Sequence, residues 1–269
     1  MTRYRAMFER CAQREEGVFG GFLVLGDPGL EASAAYLDAI VEGGADMVEV
    51  GIPFSDPIAD GPVIQAAAGR ALRAGVRTGD CLNLIAGFRA RHPDVPLGVL
   101  TYANIVAARG ITTFASELAA VGTDSLLVAD VPSLEATPYA AAASSAGLDL
   151  VMIAATNTPR RVLTRIANLS SGYTYCVARA GVTGADEHLS LNHGALFASL
   201  KAANAPPPVL GFGISRPEHV REALDAGAAG AIAGSAIVRL IEAGAAPDAV
   251  QHMVETLKFA TRMLAHQPY

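Results

Sequence analysis

Two carboxyl residues, Glu49 and Asp60, stand at either end of a segment rich in proline and glycine. Glu49 lies within an apolar run, where an unpaired carboxylate is costly to bury, so it is expected to bind a proton or pair with a cation. A carboxyl group with a raised pKa can give and take protons near neutral pH. Two such groups can divide acid and base roles if their surroundings separate their pKa values. The pair therefore predicts acid–base chemistry.

Both carboxyl groups also have a structural interpretation. Glu49 could be hydrogen-bonded inside the core without taking part in a reaction. Asp60 precedes Gly61, and aspartate before glycine is common in turns. The residues alone leave both interpretations open.

Two glycine-rich turns near the end of the chain predict a phosphate site. Residues 211–213 read Gly-Phe-Gly, and Gly234 is followed by Ser235 at the start of a helical pattern. In barrels of alternating strands and helices, phosphate often binds at the last two strands, through backbone N–H groups and a helix N-terminus. Tight turns without a ligand use the same glycines, but two such turns after adjacent strands favour phosphate.

Two other kinds of catalysis lack the residues that they need. A Schiff base requires a lysine at a strand end, and the two lysines, Lys201 and Lys258, lie in late helical stretches. A metal site requires clustered ligands. The histidines are scattered: His92, His188, His193, His219, His252 and His266. The sequence therefore favours acid–base catalysis without a metal.

Eight short apolar runs must position these groups. Most are continuously apolar, as parallel strands covered on both faces are. They are Phe19–Leu25, Met47–Val50, Leu97–Tyr102, Ser125–Val128, Leu148–Ile153, Tyr173–Val177, Val209–Gly211 and Gly230–Ala233. The helical patterns between and after them include Ala32–Glu42, Ile111–Ala120, Pro217–Ala226 and Pro247–Ala265.

Four glycines precede strands in a weak internal repeat and predict left-handed helix caps: Gly44, Gly122, Gly147 and Gly227. Alternating strands and helices give a parallel sheet, either closed or open. The chain has 269 residues, and a closed barrel of eight strand–helix units needs about 250. We therefore expect an α/β fold, a (β/α)8 TIM barrel, with residues 1–269 forming a single domain. Its chemistry would lie at the carboxyl ends of the strands.

Composition excludes several classes of protein. The net charge of −6 argues against a nucleic-acid surface, which needs clustered lysine and arginine. The first residues have no apolar segment typical of a secretory signal, and no stretch is long and apolar enough to span a membrane. Three distant cysteines, Cys11, Cys81 and Cys176, are typical of buried thiols in a reducing compartment. We expect a cytoplasmic protein.

Seven segments, in order across nearly the whole chain, resemble the tryptophan synthase α subunit family. The most specific is residues 49–62, which includes Glu49, Asp60 and the prolines between them. The others are residues 26–29, 102–104, 129–132, 179–184, 211–215 and 234–238. The resemblance implies that Glu49 and Asp60 are the catalytic pair and that Tyr175 lies beside them. It also implies the reaction, a retro-aldol cleavage of indole-3-glycerol phosphate to indole and glyceraldehyde 3-phosphate.

The resemblance further implies roles for other residues. Glu49 would handle both the proton given to the indole ring and the proton taken from the glycerol hydroxyl, while Asp60 stabilises charge at the indole N–H. The substrate would be walled by Phe22, Leu100, Leu127, Ala129, Ile153, Thr183 and Phe212. The phosphate would bind Gly184, Gly213, Gly234 and Ser235. The loop Arg179–Asp186 could close over the site as a lid.

A partner is implied as well. The family forms an αββα complex with a β subunit that carries pyridoxal phosphate, so no cofactor is expected in this chain. Asp56, Asn104 and Pro132 would lie at that interface. The chain departs from many members at Gly21 and Val24, where proline and threonine are expected, and Val24 would remove a hydroxyl near Glu49.

Three alternatives stay open from the sequence. A phosphate-binding barrel isomerase would share the glycine turns but not residues 49–62. A stand-alone indole-producing lyase of the same family would need no partner. A non-catalytic activating subunit would not need Glu49, Asp60 and Tyr175 together.

Overall fold

The computed structural model describes residues 2–177 and 193–262. Within them, nine parallel strands form one sheet in the order β5-β4-β3-β2-β1-β9-β8-β7-β6. The strands are β1 Val18–Val24, β2 Met47–Gly51, β3 Leu97–Thr101, β4 Ser125–Val128, β5 Asp149–Leu150, β6 Met152–Ala155, β7 Thr174–Val177, β8 Pro208–Leu210 and β9 Gly230–Ala233. Because β5 and β6 flank Val151, the two ends of this order meet in the chain and the sheet is a nearly closed barrel. The predicted (β/α)8 fold is confirmed.

Helices surround the barrel. Those in the described residues are α1 Arg3–Gln13, α2 Leu30–Glu42, α3 Pro62–Arg73, α4 Thr78–Arg91, α5 Ala103–Arg109, α6 Ile111–Ala120, α7 Thr137–Ala146, α8 Arg160–Leu169, α9 His193–Ala202, α10 Pro217–Asp225, α11 Ser235–Glu242 and α12 Pro247–Phe259. No helix in this part of the chain combines the length and the apolar character that crossing a bilayer requires.

Two predicted elements differ from the structure. The fifth apolar run is two strands, because Asp149–Leu150 pairs with β4 and Met152–Ala155 pairs with β7. The last helix ends at Phe259, since Thr261 turns back to accept a bond from Gly17 and Glu16 pairs with Arg262. The four predicted glycine caps are confirmed, with φ between +77° and +105°.

Alternate side chains of each strand face opposite sides of the barrel wall. In β1, Phe19 and Leu23 pack with the surrounding helices, whereas Phe22 and Val24 belong to an interior cluster. In β2, Val48 and Val50 face outward in the same way. Glu49, between them, therefore points into the barrel.

Helix α1 closes the amino end of the barrel. Its Tyr4 and Met7 are buried in the interior cluster, together with Cys11. Cys81 and Cys176 are also free buried thiols. The opposite end of the barrel, where the strands finish, carries the candidate residues.

Candidate active site

Glu49 is a buried carboxyl group with one hydrogen-bond donor. Its side chain is in β2, and the residue is only 1% exposed. The Tyr173 hydroxyl donates to Oε1 at 2.6 Å. The other oxygen, Oε2, has no hydrogen-bond partner among the residues that the structure describes. The pKa of Glu49 is raised to about 7: burial is the main cause, the Tyr173 bond opposes it, and the charge of Asp60 adds to it.

A polar floor lies under Glu49. The strand register sets Glu49 beside Gly98 of β3, and a Cβ at Gly98 would lie 2.6 Å from the Ser125 Oγ and 2.9 Å from the Tyr4 hydroxyl. Tyr4 and Ser125 are hydrogen-bonded at 2.8 Å, and the Tyr4 and Tyr173 rings lie 5.3 Å apart. The missing side chain at Gly98 therefore makes room for the hydroxyl groups below the carboxyl.

Asp60 is held by a loop instead of a strand. The Tyr102 hydroxyl donates to its Oδ2 at 2.8 Å, and the amide of Gln65 donates to its carbonyl oxygen at 2.7 Å. Tyr102 is itself fixed by stacking on Phe54, with ring centroids 5.2 Å apart. The pKa of Asp60 is raised to about 6, because the effect of burial exceeds the lowering effect of the Tyr102 bond.

The two carboxyl groups differ in a way that suits acid–base work. Both have pKa values raised toward neutrality, and Glu49 has the higher one. At neutral pH, Glu49 can therefore exist in either form, whereas Asp60 is mostly ionised. One group can exchange protons while the other presents a negative charge.

Tyr175 lies near both carboxyl groups but bonds elsewhere. Its hydroxyl donates to the carbonyl of Gly211 at 2.9 Å, and a Cβ at Gly211 would collide with the Tyr175 ring. Burial raises the Tyr175 pKa well above its ordinary range, and the charges of Glu49 and Asp60 add to this. The Tyr175 hydroxyl thus binds a backbone carbonyl, and not the carboxyl group of Glu49 or Asp60.

Sequence reasoning missed the two tyrosines that bind the carboxyl groups. Tyr173 stands two residues before Tyr175, so strand alternation puts it on the same inward face. Tyr102 follows β3, at the same barrel end as the loop after β2. Both signals were in the sequence, but neither identified the bonding partner.

The predicted apolar wall residues mostly come together. Phe22 belongs to the interior cluster with Tyr175, and the further members predicted as walls are Leu100, Leu127, Ala129 and Ile153. Phe212 is partly buried beyond the end of β8. Thr183 and Gly184, with the loop Arg179–Asp186, lie outside the described residues.

The other predicted phosphate residues lie at the carboxyl ends of β8 and β9. Gly213 is exposed with a φ of +77°. Gly234 precedes α11, which has no side-chain cap, and Ser235 is its first residue. The first N–H groups of a helix have no acceptor within it, so they can bind an anion. These turns could hold a phosphate group.

The predicted interface residues share this end of the barrel. Asp56, Asn104 and Pro132 are exposed and follow the neighbouring strands β2, β3 and β4. Ile58 and Leu134 in the same loops are each 70% exposed. Sequence reasoning missed these two apolar side chains.

The two departures from the family lie on opposite faces of β1. A Cβ at Gly21 would lie 2.6 Å from Ile40 of α2, so this position faces the helices. Val24 is buried in the interior cluster on the face that carries the site. Of the two, only Val24 is on the same side of the wall as Glu49.

Known proteins resemble this chain over almost its whole length. The sequence pattern of the family described as "Tryptophan synthase alpha chain" matches residues 8–267. A tryptophan synthase alpha chain of Shewanella amazonensis is 48% identical over 265 residues, 98% of this chain and 99% of the relative. An Escherichia coli alpha chain is 47% identical and covers 97% of this chain and 100% of its own length.

Solved structures give the same result. A structure of Mycobacterium tuberculosis tryptophan synthase superimposes with a TM-score of 0.90 at 31% identity, covering 98% of this chain and 99% of that one. The Legionella pneumophila tryptophan synthase alpha chain gives a TM-score of 0.88 at 26% identity, covering 99% and 100%.

Proposed function

The chain belongs to the tryptophan synthase alpha chain family, and from this premise we propose that Glu49 and Asp60 carry out its reaction. The chain is a carbon–carbon lyase that cleaves indole-3-glycerol phosphate to indole and glyceraldehyde 3-phosphate, and it works with a β subunit. A stand-alone lyase is not favoured, because the relatives are alpha chains of a two-component enzyme.

Glu49 is the proton carrier in this proposal. It protonates the indole ring carbon, which turns the ring into an electron sink, and it takes the proton of the glycerol hydroxyl as the carbon–carbon bond breaks. The observation that supports this role is the buried carboxyl with a pKa raised to about 7, one oxygen on Tyr173 and the other without a partner in the described chain. A group with its pKa near the working pH is effective in both directions.

Asp60 stabilises the positive charge that protonation creates at the indole N–H. Its pKa, raised only to about 6, leaves it ionised at neutral pH. The apolar interior beside the pair suits an indole ring, and the turns at Gly213 and Gly234–Ser235 suit the phosphate. Tyr175 would border the ring near both carboxyl groups.

We further propose that this chain needs no cofactor of its own and that pyridoxal phosphate belongs to the β subunit. The assembly would be αββα, with Asp56, Asn104 and Pro132 at the contact. All three are exposed and follow neighbouring strands, which supports this placement.

Replacing Glu49 tests the assignment. Glu49→Gln keeps the shape but cannot exchange a proton, so kcat should fall by roughly 10²–10⁴-fold with substrate binding nearly intact. The measurement is indole release from indole-3-glycerol phosphate. Glu117→Gln, which alters an exposed carboxyl paired with Arg109, is the matched control and should keep full turnover. Near wild-type turnover in Glu49→Gln would contradict the proposal.

The phosphate turns can be tested separately. Gly213→Val adds a side chain where the backbone must approach the oxygens closely, at a positive φ that valine rarely adopts. KM should rise more than kcat falls. Equal affinity for indole-3-glycerol phosphate and its dephosphorylated analogue would argue against this site.

A further inference from the structure

Arg70, which is partly buried, joins a buried and an exposed carboxylate outside the proposed site. Its Nε and one terminal nitrogen each donate to an oxygen of Asp27 at 2.8 Å, and its other terminal nitrogen donates to Glu242 at 2.7 Å. The Asp27 side chain is only 3% exposed. The arginine uses its planar fork, which fixes direction as well as distance.

These ion pairs join three elements that carry the barrel mouth. Asp27 lies in the turn after β1, Arg70 lies in α3 after β2, and Glu242 ends α11 after β9. These three strands are neighbours in the sheet order β2-β1-β9. One guanidinium therefore fixes α3 against both elements beside it.

Helix α3 begins directly after the Asp60 loop. Gln65, in its first turns, holds the Asp60 carbonyl at 2.7 Å, and the same helix carries Arg70 on a later turn. A helix is rigid over this length, so an anchor at Arg70 sets where its amino end lies. The Asp60 carboxylate accepts its bond from Tyr102, which follows β3 and lies outside this loop.

Because Asp27 is buried, its ion pair with Arg70 restricts movement of α3. A carboxylate removed from water is costly unless it is paired with good geometry, so α3 cannot shift without uncovering or unpairing it. The Glu242 side chain is 45% exposed, so its ion pair with Arg70 contributes less. The paired carboxylate thus opposes movement of α3 in a way that apolar contacts alone do not.

We propose that Arg70 is a positioning residue for the lyase reaction, acting by holding α3 so that Asp60 faces the substrate. This inference rests on the proposed role of Asp60. Displacement by about 1 Å of a catalytic group can cost on the order of 100-fold in rate, so a loosened anchor should reduce turnover even though Arg70 contacts no substrate.

The test uses Arg70→Lys in the full chain. Lysine keeps the positive charge beside Asp27 but cannot form the fork, so stability should be largely retained while kcat falls by about tenfold. KM should change less than kcat, because the proposed role of Asp60 is to stabilise charge that develops only as the reaction proceeds. Arg91→Lys is the matched control: its Nε bonds both oxygens of Asp38 on the outer helices, and its loss should leave kcat unchanged.

A second variant separates positioning from general stability. Asp27→Asn with Arg70→Met removes both charges, so neither is left buried and unpaired. This double variant should keep its thermal midpoint better than Arg70→Met alone, yet show the same loss of kcat. If kcat instead recovers together with stability, Arg70 has a structural role only and the inference is overturned.

A double-mutant cycle with Asp60→Asn completes the test. If Arg70 acts through Asp60, Arg70→Lys should lower kcat no further in the Asp60→Asn background. An equal fractional loss in both backgrounds overturns the inference. Failure of the proposed function is a different result: Asp60→Asn alone would then turn over at the wild-type rate.

Discussion

Glu49 is buried and Asp60 is partly buried. Each carboxyl group accepts a bond from a tyrosine, but different structures hold them. Glu49 projects from β2 into a packed interior, beside hydroxyl groups from α1, from β4 and from Tyr173, the residue before β7. Asp60 belongs to a loop. Its carboxylate accepts a bond from Tyr102, and its backbone carbonyl accepts one from Gln65 near the start of α3. The strand position cannot move without disturbing the core, whereas the loop position can be adjusted from outside.

This difference suggests a division of labour. Glu49, the proposed proton carrier, has a fixed site, because its pKa depends on burial. Asp60, the group proposed to stabilise charge, lies in the same loop as the exposed residues Asp56 and Ile58. Contact with a partner at this loop can therefore move Asp60 while the Glu49 side chain keeps its place in the barrel.

The largest expected effect concerns stability against pH. The folded pKa of Glu49 is raised from 4.5 to about 7, so its contribution to stability is full below pH 4.5 and is lost as pH rises to about 7. Glu49→Gln removes this dependence. Between pH 4.5 and about 7, the parent loses stability and the variant does not. The free energy of unfolding of the variant should therefore rise, relative to that of the parent, by about 3 kcal/mol. Denaturant unfolding at several pH values measures it.

The corresponding change at Asp60 tests the comparison. Its pKa is also raised, from 3.8 to about 6. Between these two pH values, the free energy of unfolding of Asp60→Asn should therefore rise relative to that of the parent. The gain should be smaller than at Glu49, because the loop can turn the carboxylate toward water. A larger gain at Asp60 would show that the loop is as rigid as the strand.

The next effect concerns the β subunit. Docking that orders the loop should raise the lyase rate, and couplings of about 1–3 kcal/mol correspond to roughly 5–150-fold. Asp56→Ala should reduce this gain while sparing the basal rate, since Asp56 is exposed. Indole release with and without β subunit is the measurement. A chain that is fully active alone and unaffected by β subunit would refute the coupling.

The smallest effects distinguish the two tyrosines. Each phenylalanine variant removes one hydrogen bond to a carboxyl group, worth about 1–3 kcal/mol. Because both bonds lower the pKa of their carboxyl group, Tyr173→Phe should shift a pH–rate limb attributed to Glu49 upward. Tyr102→Phe should shift upward the apparent pKa of the limb near pH 6, which is attributed to Asp60. It should also weaken the increase in rate caused by the β subunit. Identical profiles for the two variants would remove the distinction between strand and loop.

The sequence by itself determined the barrel and the candidate pair. Continuous apolar runs predicted the strands to within a few residues, because burial on both faces leaves little choice of side chain. Glu49 was evident because a carboxyl group inside such a run needs an explanation. The glycines before the strands also predicted the ends of helices correctly, since a positive φ favours glycine.

Tertiary structure decided which groups touch. Nothing local links Tyr173 to Glu49, Tyr102 to Asp60 or Arg70 to Asp27, because each pair is far apart in the chain and meets only when the sheet closes. The gap at Gly98 matters only once β3 lies beside β2 in its observed register. The pKa of Glu49 follows from these contacts and from its burial, so it depends on the folded arrangement of the whole barrel.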